Sequence, residues 1–182
     1  MAKTGYAKAT VAAIARAARV SPALVHHHFA DKHQVLVSLV ERLVAGAEAR
    51  LSARLEEAGD NPHRRLAGFV EAYVGLGPDA NARAVAAWVV IGAEALRDAQ
   101  VRALYRAAIA RALARAKDLV SARLTAEGRP TRNARVIAAA IIAAVEGAYR
   151  VTAAAPGLLP VGFAAPMLRR TIDGLIAAEE RA

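Results

Sequence analysis

The chain has 182 residues, a net charge of +9 and no cysteine, which excludes a disulfide framework, a thiolate metal site and a cysteine nucleophile. Alanine accounts for 49 residues and aromatics for only 4%. Because alanine is the best helix former and the aromatic strand formers are sparse, the expected fold class is all-α. Arginine supplies 21 of the 25 cations; its planar fork suits bidentate phosphate contacts, so the charge balance points to a polyanionic partner.

In chain order, Thr10 is placed to cap a helix over 10–18 with Val11, Ile14, Ala15 and Ala18 on one face. Ser21 caps a second short helix ending near Phe29, with Pro22 at its first position, where a missing N–H costs nothing. Asp31 opens a long helix whose Leu36, Leu39, Val40, Leu43, Val44, Ala47, Leu51 and Leu55 keep the spacing of one buried stripe. The run Gly59-Asp60-Asn61-Pro62 ends it and starts a helix over 62–75 with Leu66, Phe69, Val70 and Tyr73 inward. After a break at Gly75-Leu76-Gly77-Pro78, further helices are expected over 79–97, 98–126, 131–153 and 163–181. The most apolar run, Val136 to Val145, is read as too short to span a bilayer, and residues 1–6 lack the apolar stretch of a secretory signal. A cytoplasmic protein that does not enter membranes is the expectation.

Residues 10–29, TVAAIARAARVSPALVHHHF, are two short helices joined by a tight turn, the span of a helix-turn-helix. Ile14, Ala15, Val20, Val25 and Phe29 are its expected core. Over residues 1–40 the cations Lys3, Lys8, Arg16, Arg19 and Lys32 face Asp31 alone, and four of the five histidines lie in the same stretch. No metal site is expected: His26, His27 and His28 stand about 100° apart on a helix and cannot converge on one ion. Lys32 starts a helix, where its charge opposes the macrodipole, so an external phosphate explains it better than helix stability does.

Gly5, Tyr6, Thr10, Ile14, Ala15, Ala18, Val20, Ser21, Val25, His28, Phe29, Lys32 and Leu36 stand where the TetR family of transcriptional regulators carries those residue types. Over about the first 40 residues the chain resembles that family. The resemblance implies a DNA-binding surface made of Thr10, Ser21, Pro22, Ala23, Leu24, His26, His27, His28 and Lys32, with His27 outward and His28 nearer the core. The family's first helix, ahead of Gly5, is expected to be absent here or reduced to residues 1–4. Arg19 replaces the family's turn glycine, which costs roughly 1 kcal/mol if that turn needs positive φ. Ala23 replaces a second glycine and favours the helix slightly.

Later segments, Ala87-Trp88, Leu104-Tyr105-Arg106 and Glu146-Gly147, are similar to the choline-responsive repressors of the BetI type. Small residues on the 131–153 helix (Ala138, Ala139, Ala140, Ala143, Ala144, Gly147 and Ala148) allow close approach of a partner helix. The resemblance implies a homodimer through the last two helices, and a palindromic operator also calls for a twofold protein. Tyr73, Trp88, Tyr105 and Tyr149, on four helices, are the candidate lining of an effector pocket, against ordinary core filling. Glu94 and Glu146 lie in apolar stretches, each with an arginine in helical reach, Arg97 and Arg150.

Taken together, these features give a DNA-binding unit over 1–45 and a ligand-binding and dimerisation body over 46–182. The partners expected are double-stranded DNA, a small-molecule effector and a second copy of the chain. No cofactor is expected, and the sequence holds no nucleophile–base constellation, G-x-S-x-G, phosphate loop or H-E-x-x-H. The other reading is a helical interaction protein whose DNA-binding unit no longer binds.

Overall fold

The computed structural model describes residues 9–74 and 82–180. Every regular element among them is a helix, as composition predicts: α1 Val11–Ala18, α2 Pro22–His28, α3 Lys32–Ala58, α4 Pro62–Val74, α5 Ala82–Glu94, α6 Ala99–Ala126, α7 Ala134–Ala154 and α8 Ala164–Ala177. Gly5, Tyr6 and the break expected at 75–78 lie outside the described residues.

Side-chain caps start the first helices where the sequence places them. Thr10 Oγ1 accepts from the Ala13 amide at 3.1 Å, Ser21 Oγ from the Leu24 amide at 3.1 Å, and Asp31 Oδ1 from the Gln34 amide at 2.8 Å. Each satisfies an amide that has no partner inside its own helix. Gln34 returns the contact by accepting from the Ala30 amide at 2.6 Å, the reciprocal logic of a capping box.

Three boundaries differ from the sequence expectation. α5 stops at Glu94, because Asp98 takes the amides of Gln100 and Val101 and starts α6 there. α7 begins at Ala134 rather than 131, and the Asn133 amide group goes to the Glu179 carboxylate instead of capping. α8 closes at Ala177, where Arg129 donates to the carbonyls of Ala177 and Glu179.

Two apolar clusters hold the body together. The larger joins the second half of α3 to α4, α6, α7 and α8, around Phe69, Val70, Val120, Leu124 and Ile141. The smaller joins Leu36 and Val40 of α3 to Ile91 of α5, to Ala95 just past its end and to Val101 of α6. α3 runs without a break past position 45 and serves both. Against α4 it comes close enough that a Cβ on Gly68 would sit 3.2 Å from the Arg54 carbonyl oxygen, a contact tight enough to favour glycine there.

α7 is 21 residues long with a mean hydropathy of 1.6 in its most apolar window, long and apolar enough to cross a membrane by those two measures. The ten-residue run read from the sequence therefore understated it. One face of α7, Ile137, Ala138, Ile141, Ile142, Val145 and Ala148, is buried in the body. The other exposes Val136, Ala140, Ala143, Gly147 and Val151, and α8 likewise exposes Met167, Gly174 and Leu175.

Candidate functional site

At the N-terminal end, α1 terminates in Arg19, whose φ of 59° and ψ of 39° are left-handed. It is the single non-glycine residue with positive φ among the described residues. That conformation lets the Val20 amide reach back to the Ala15 carbonyl at 3.0 Å, reversing the chain within the turn so that α2 packs on α1. The turn does need positive φ, and arginine fills it at a cost.

Of the expected core, Ala15 and Val25 are buried and Ile14 and Phe29 half-buried, but Val20 is 37% exposed. Val20 lies in the turn, outside either helix, so neither helical face carries it inward. α2 has only two turns, and Val25 and Phe29, four residues apart, are what it turns toward α1. Thr10, Ser21, Pro22, Ala23, Leu24, His26 and His27 are all exposed, and Lys32 at the first position of α3 is half-buried. His28, expected nearer the core, is exposed as well, a helical step of about 100° off the Val25–Phe29 side. Its ring stands edge-on to His27 at 5.1 Å and to Phe29 at 6.5 Å.

In the body, α3 to α7 enclose a largely apolar cavity of about 110 Å³. Three of the four predicted aromatics, Tyr73, Trp88 and Tyr149, line it together with Glu146. Tyr105 is not in the lining; it stands behind Glu146 and Trp88. Trp88 Nε1 donates to Glu146 Oε1 at 2.9 Å and the Tyr105 hydroxyl donates to Oε2 at 2.7 Å. The two rings lie 5.0 Å apart with planes tilted by 32°. Each carboxylate oxygen thus has one aromatic donor and keeps a second acceptor site. Burial, and then the bond to Glu146, pushes the Tyr105 hydroxyl well above the ordinary phenol range. Burial and then the Glu146 charge do the same to Tyr149, whose hydroxyl donates to the Tyr73 carbonyl.

Of the two carboxylates singled out in the sequence, Glu146 reaches the cavity and Glu94 does not. The helical neighbour Arg150 is not the partner of Glu146; two aromatic donors on other helices are. The sequence reading missed three charged lining residues, Glu48 and Arg50 on α3 and Arg111 on α6. Glu48 and Arg50 follow Leu43, Val44 and Ala47 on the inward stripe of α3, and that proximity is the signal that could have found them. Arg111 Nε meets Glu48 Oε1 at 2.9 Å where both side chains are more than half exposed, at the cavity mouth.

The molecule is therefore a helix-turn-helix unit carried on a helical body with an internal, carboxylate-bearing cavity. Residues 1–39 match the family described as bacterial regulatory proteins, tetR family, and residues 62–177 match the C-terminal domain of BetI-type transcriptional repressors. The chain belongs to the TetR family, with a body of the BetI type.

Among relatives, the HTH-type transcriptional regulator BetI of Rhizobium meliloti (strain 1021) is 35% identical over 96 residues, 52% of this chain and 46% of that protein. BetI of Brucella canis is 31% identical over 97 residues, 53% of this chain and 48% of its own. The chain thus spans about half the length of the curated relatives it matches. Among solved structures, a transcriptional regulator of Rhodococcus sp. Rha1 aligns with a TM-score of 0.80 at 23% identity, covering 100% of this chain and 92% of that one. A transcriptional regulator of Saccharomonospora viridis, solved in complex with choline, aligns with a TM-score of 0.79 at 21% identity, covering 99% and 92%.

Proposed function

We propose that the protein is a cytoplasmic, homodimeric transcriptional repressor that works without a membrane or a catalytic activity. Residues 1–45 read a palindromic operator, and residues 46–182 dimerise and bind a small cationic effector of the choline type. The observation that carries this reading is Glu146, held by Trp88 and Tyr105 in a cavity walled by rings. A carboxylate beside aromatic faces attracts a quaternary ammonium, at about 0.5–2 kcal/mol per ring depending on desolvation.

On the operator, Thr10, Ser21, Pro22, Ala23, Leu24, His26, His27, His28 and Lys32 form the contact surface, with α2 in the major groove. Release is a population shift. α6 carries Tyr105, bonded to the cavity carboxylate, and two turns earlier Asp98 and Gln100, which face His33 next to Lys32. An ammonium drawn onto Glu146 competes for that carboxylate and displaces α6, and through His33 the start of α3. The two recognition helices then no longer match successive grooves.

A gel shift against the DNA upstream of the coding sequence, with and without choline, tests the whole reading. The expected result is a shift that choline reverses while Trp88 emission changes. Lys32→Ala should weaken specific and non-specific DNA alike, with the salt slope reduced by about 0.9 for each phosphate no longer neutralised. His27→Ala should relax preference at one base position. No shift at low salt favours a helical interaction protein with an inactive DNA-binding unit.

A further inference from the structure

The cavity carries charge of both signs, arranged by depth. Glu146, half-buried, is the inner carboxylate and is engaged by Trp88 and Tyr105. The outer end is formed by Glu48, Arg50 and Arg111, all exposed. Glu48 is committed to Arg111 by the ion pair across the mouth. Arg50 makes no ion pair and no side-chain hydrogen bond among the described residues. One engaged carboxylate inside and one uncommitted guanidinium outside therefore border the same space.

A simple cation satisfies only the inner end and enters past a guanidinium of its own sign. A ligand with an ammonium head and an anionic group at its other end satisfies both. We propose that the effector is a zwitterion, its substituted ammonium seated against Glu146 and Trp88 and its carboxylate or phosphate drawn to Arg50 at the mouth. This rests on the reading of the cavity as the effector site and names the ligand class within it. Tyr149 lines the same cavity, and its hydroxyl is raised by the Glu146 charge and lowered by that of Arg50.

Titration of the full-length chain with four probes, followed by calorimetry and Trp88 emission, tests the proposal. Tetramethylammonium carries the head alone, choline adds a neutral tail, trimethylglycine a carboxylate and phosphocholine a phosphate. At least one zwitterion should bind about three- to tenfold more tightly than choline, the range of a charge-assisted contact at a solvent-exposed mouth. The better of the two identifies the anionic group. Arg50→Ala, on an exposed side chain, should erase that advantage while leaving tetramethylammonium equal or tighter. Choline binding as tightly as both zwitterions, or an advantage that survives in Arg50→Ala, overturns the zwitterion proposal and leaves the cationic site standing. Absence of binding by all four overturns both.

Discussion

Asp98 serves two helices with one carboxylate. Its Oδ1 accepts the amides of Gln100 and Val101 at 2.9 Å, starting α6, while Oδ2 lies 3.3 Å from Nδ1 of His33 on α3. The other ring nitrogen of His33 meets Gln100 Oε1 at 2.8 Å, so the imidazole is held between two residues of one helix end.

The two roles separate by substitution. Asp98→Ala removes cap and contact together and should cost about 1–2 kcal/mol in urea unfolding. Asp98→Asn retains a capping oxygen and should cost less than half of that. Equal losses would show that the contact to His33, rather than the cap, dominates.

Arg19 occupies a left-handed turn at φ 59°. Arg19→Gly should raise the stability of the helix-turn-helix by about 1 kcal/mol, less the extra entropy that glycine gives the unfolded chain. A clear fall in melting temperature would mean that the arginine side chain contributes more than its backbone costs.

A Cβ at Gly147 would meet nothing within 4 Å, and the residue sits on the exposed apolar face of α7. Gly147→Leu should therefore leave the protomer fold intact and disrupt only a dimer formed through that face, by about 1–3 kcal/mol of overpacking. Light scattering of the parent chain and the variant at equal concentration reads this directly. A parent chain that scatters as a monomer removes the proposed dimer.

The acid limb of stability should report Glu127. Its carboxyl is held below the ordinary value of 4.5, first by the bond from Arg123, with the Arg123 charge and a bond from Arg129 adding to this against a smaller opposing effect of burial. A folded-state value lower than the unfolded one gives stability that is complete above about pH 4.5 and lost as pH falls through the folded value. Glu127→Gln should flatten that part of the pH profile and cost about 0.5–1 kcal/mol at neutral pH, as expected for a partly solvated pair.

At the alkaline end the sign reverses. Tyr73, Tyr105 and Tyr149 are all raised above 10, burial being the largest cause in each. Their contribution is complete below about pH 10 and is lost as pH rises toward the folded-state values. Ultraviolet titration should show these three ionising late and together with unfolding. Ionisation of more than one of the four tyrosines near pH 10 with the far-ultraviolet signal intact would contradict their burial.

Local signals carried most of the fold into the sequence. Thr10, Ser21 and Asp31 cap where their types and spacing predict, because a cap is an interaction over three residues. Asn133 shows the limit: its amide is taken by Glu179, 46 residues away, which moves the start of α7 by a turn. The cavity divides in the same way. Scarcity and spread pointed to Tyr73, Trp88, Tyr105 and Tyr149. The partners of Glu146 lie 58 and 41 residues away, beyond the reach of a helical-neighbour rule that nominates Arg150. Arg50 and Arg111 look like solvated surface residues until α3 and α6 are set side by side.

The continuity of α3 has a practical consequence for anyone wishing to dissect this protein. At 27 residues the helix is about 40 Å long. A fragment truncated near position 45 would keep Leu36, Val40, Leu43 and Val44 but lose the α5 and α6 side chains that cover them. Such a fragment would carry a sticky apolar end into any binding assay. The proposed DNA-binding unit is better isolated by silencing the other proposed functions through point substitutions in the full-length chain than by cutting it out.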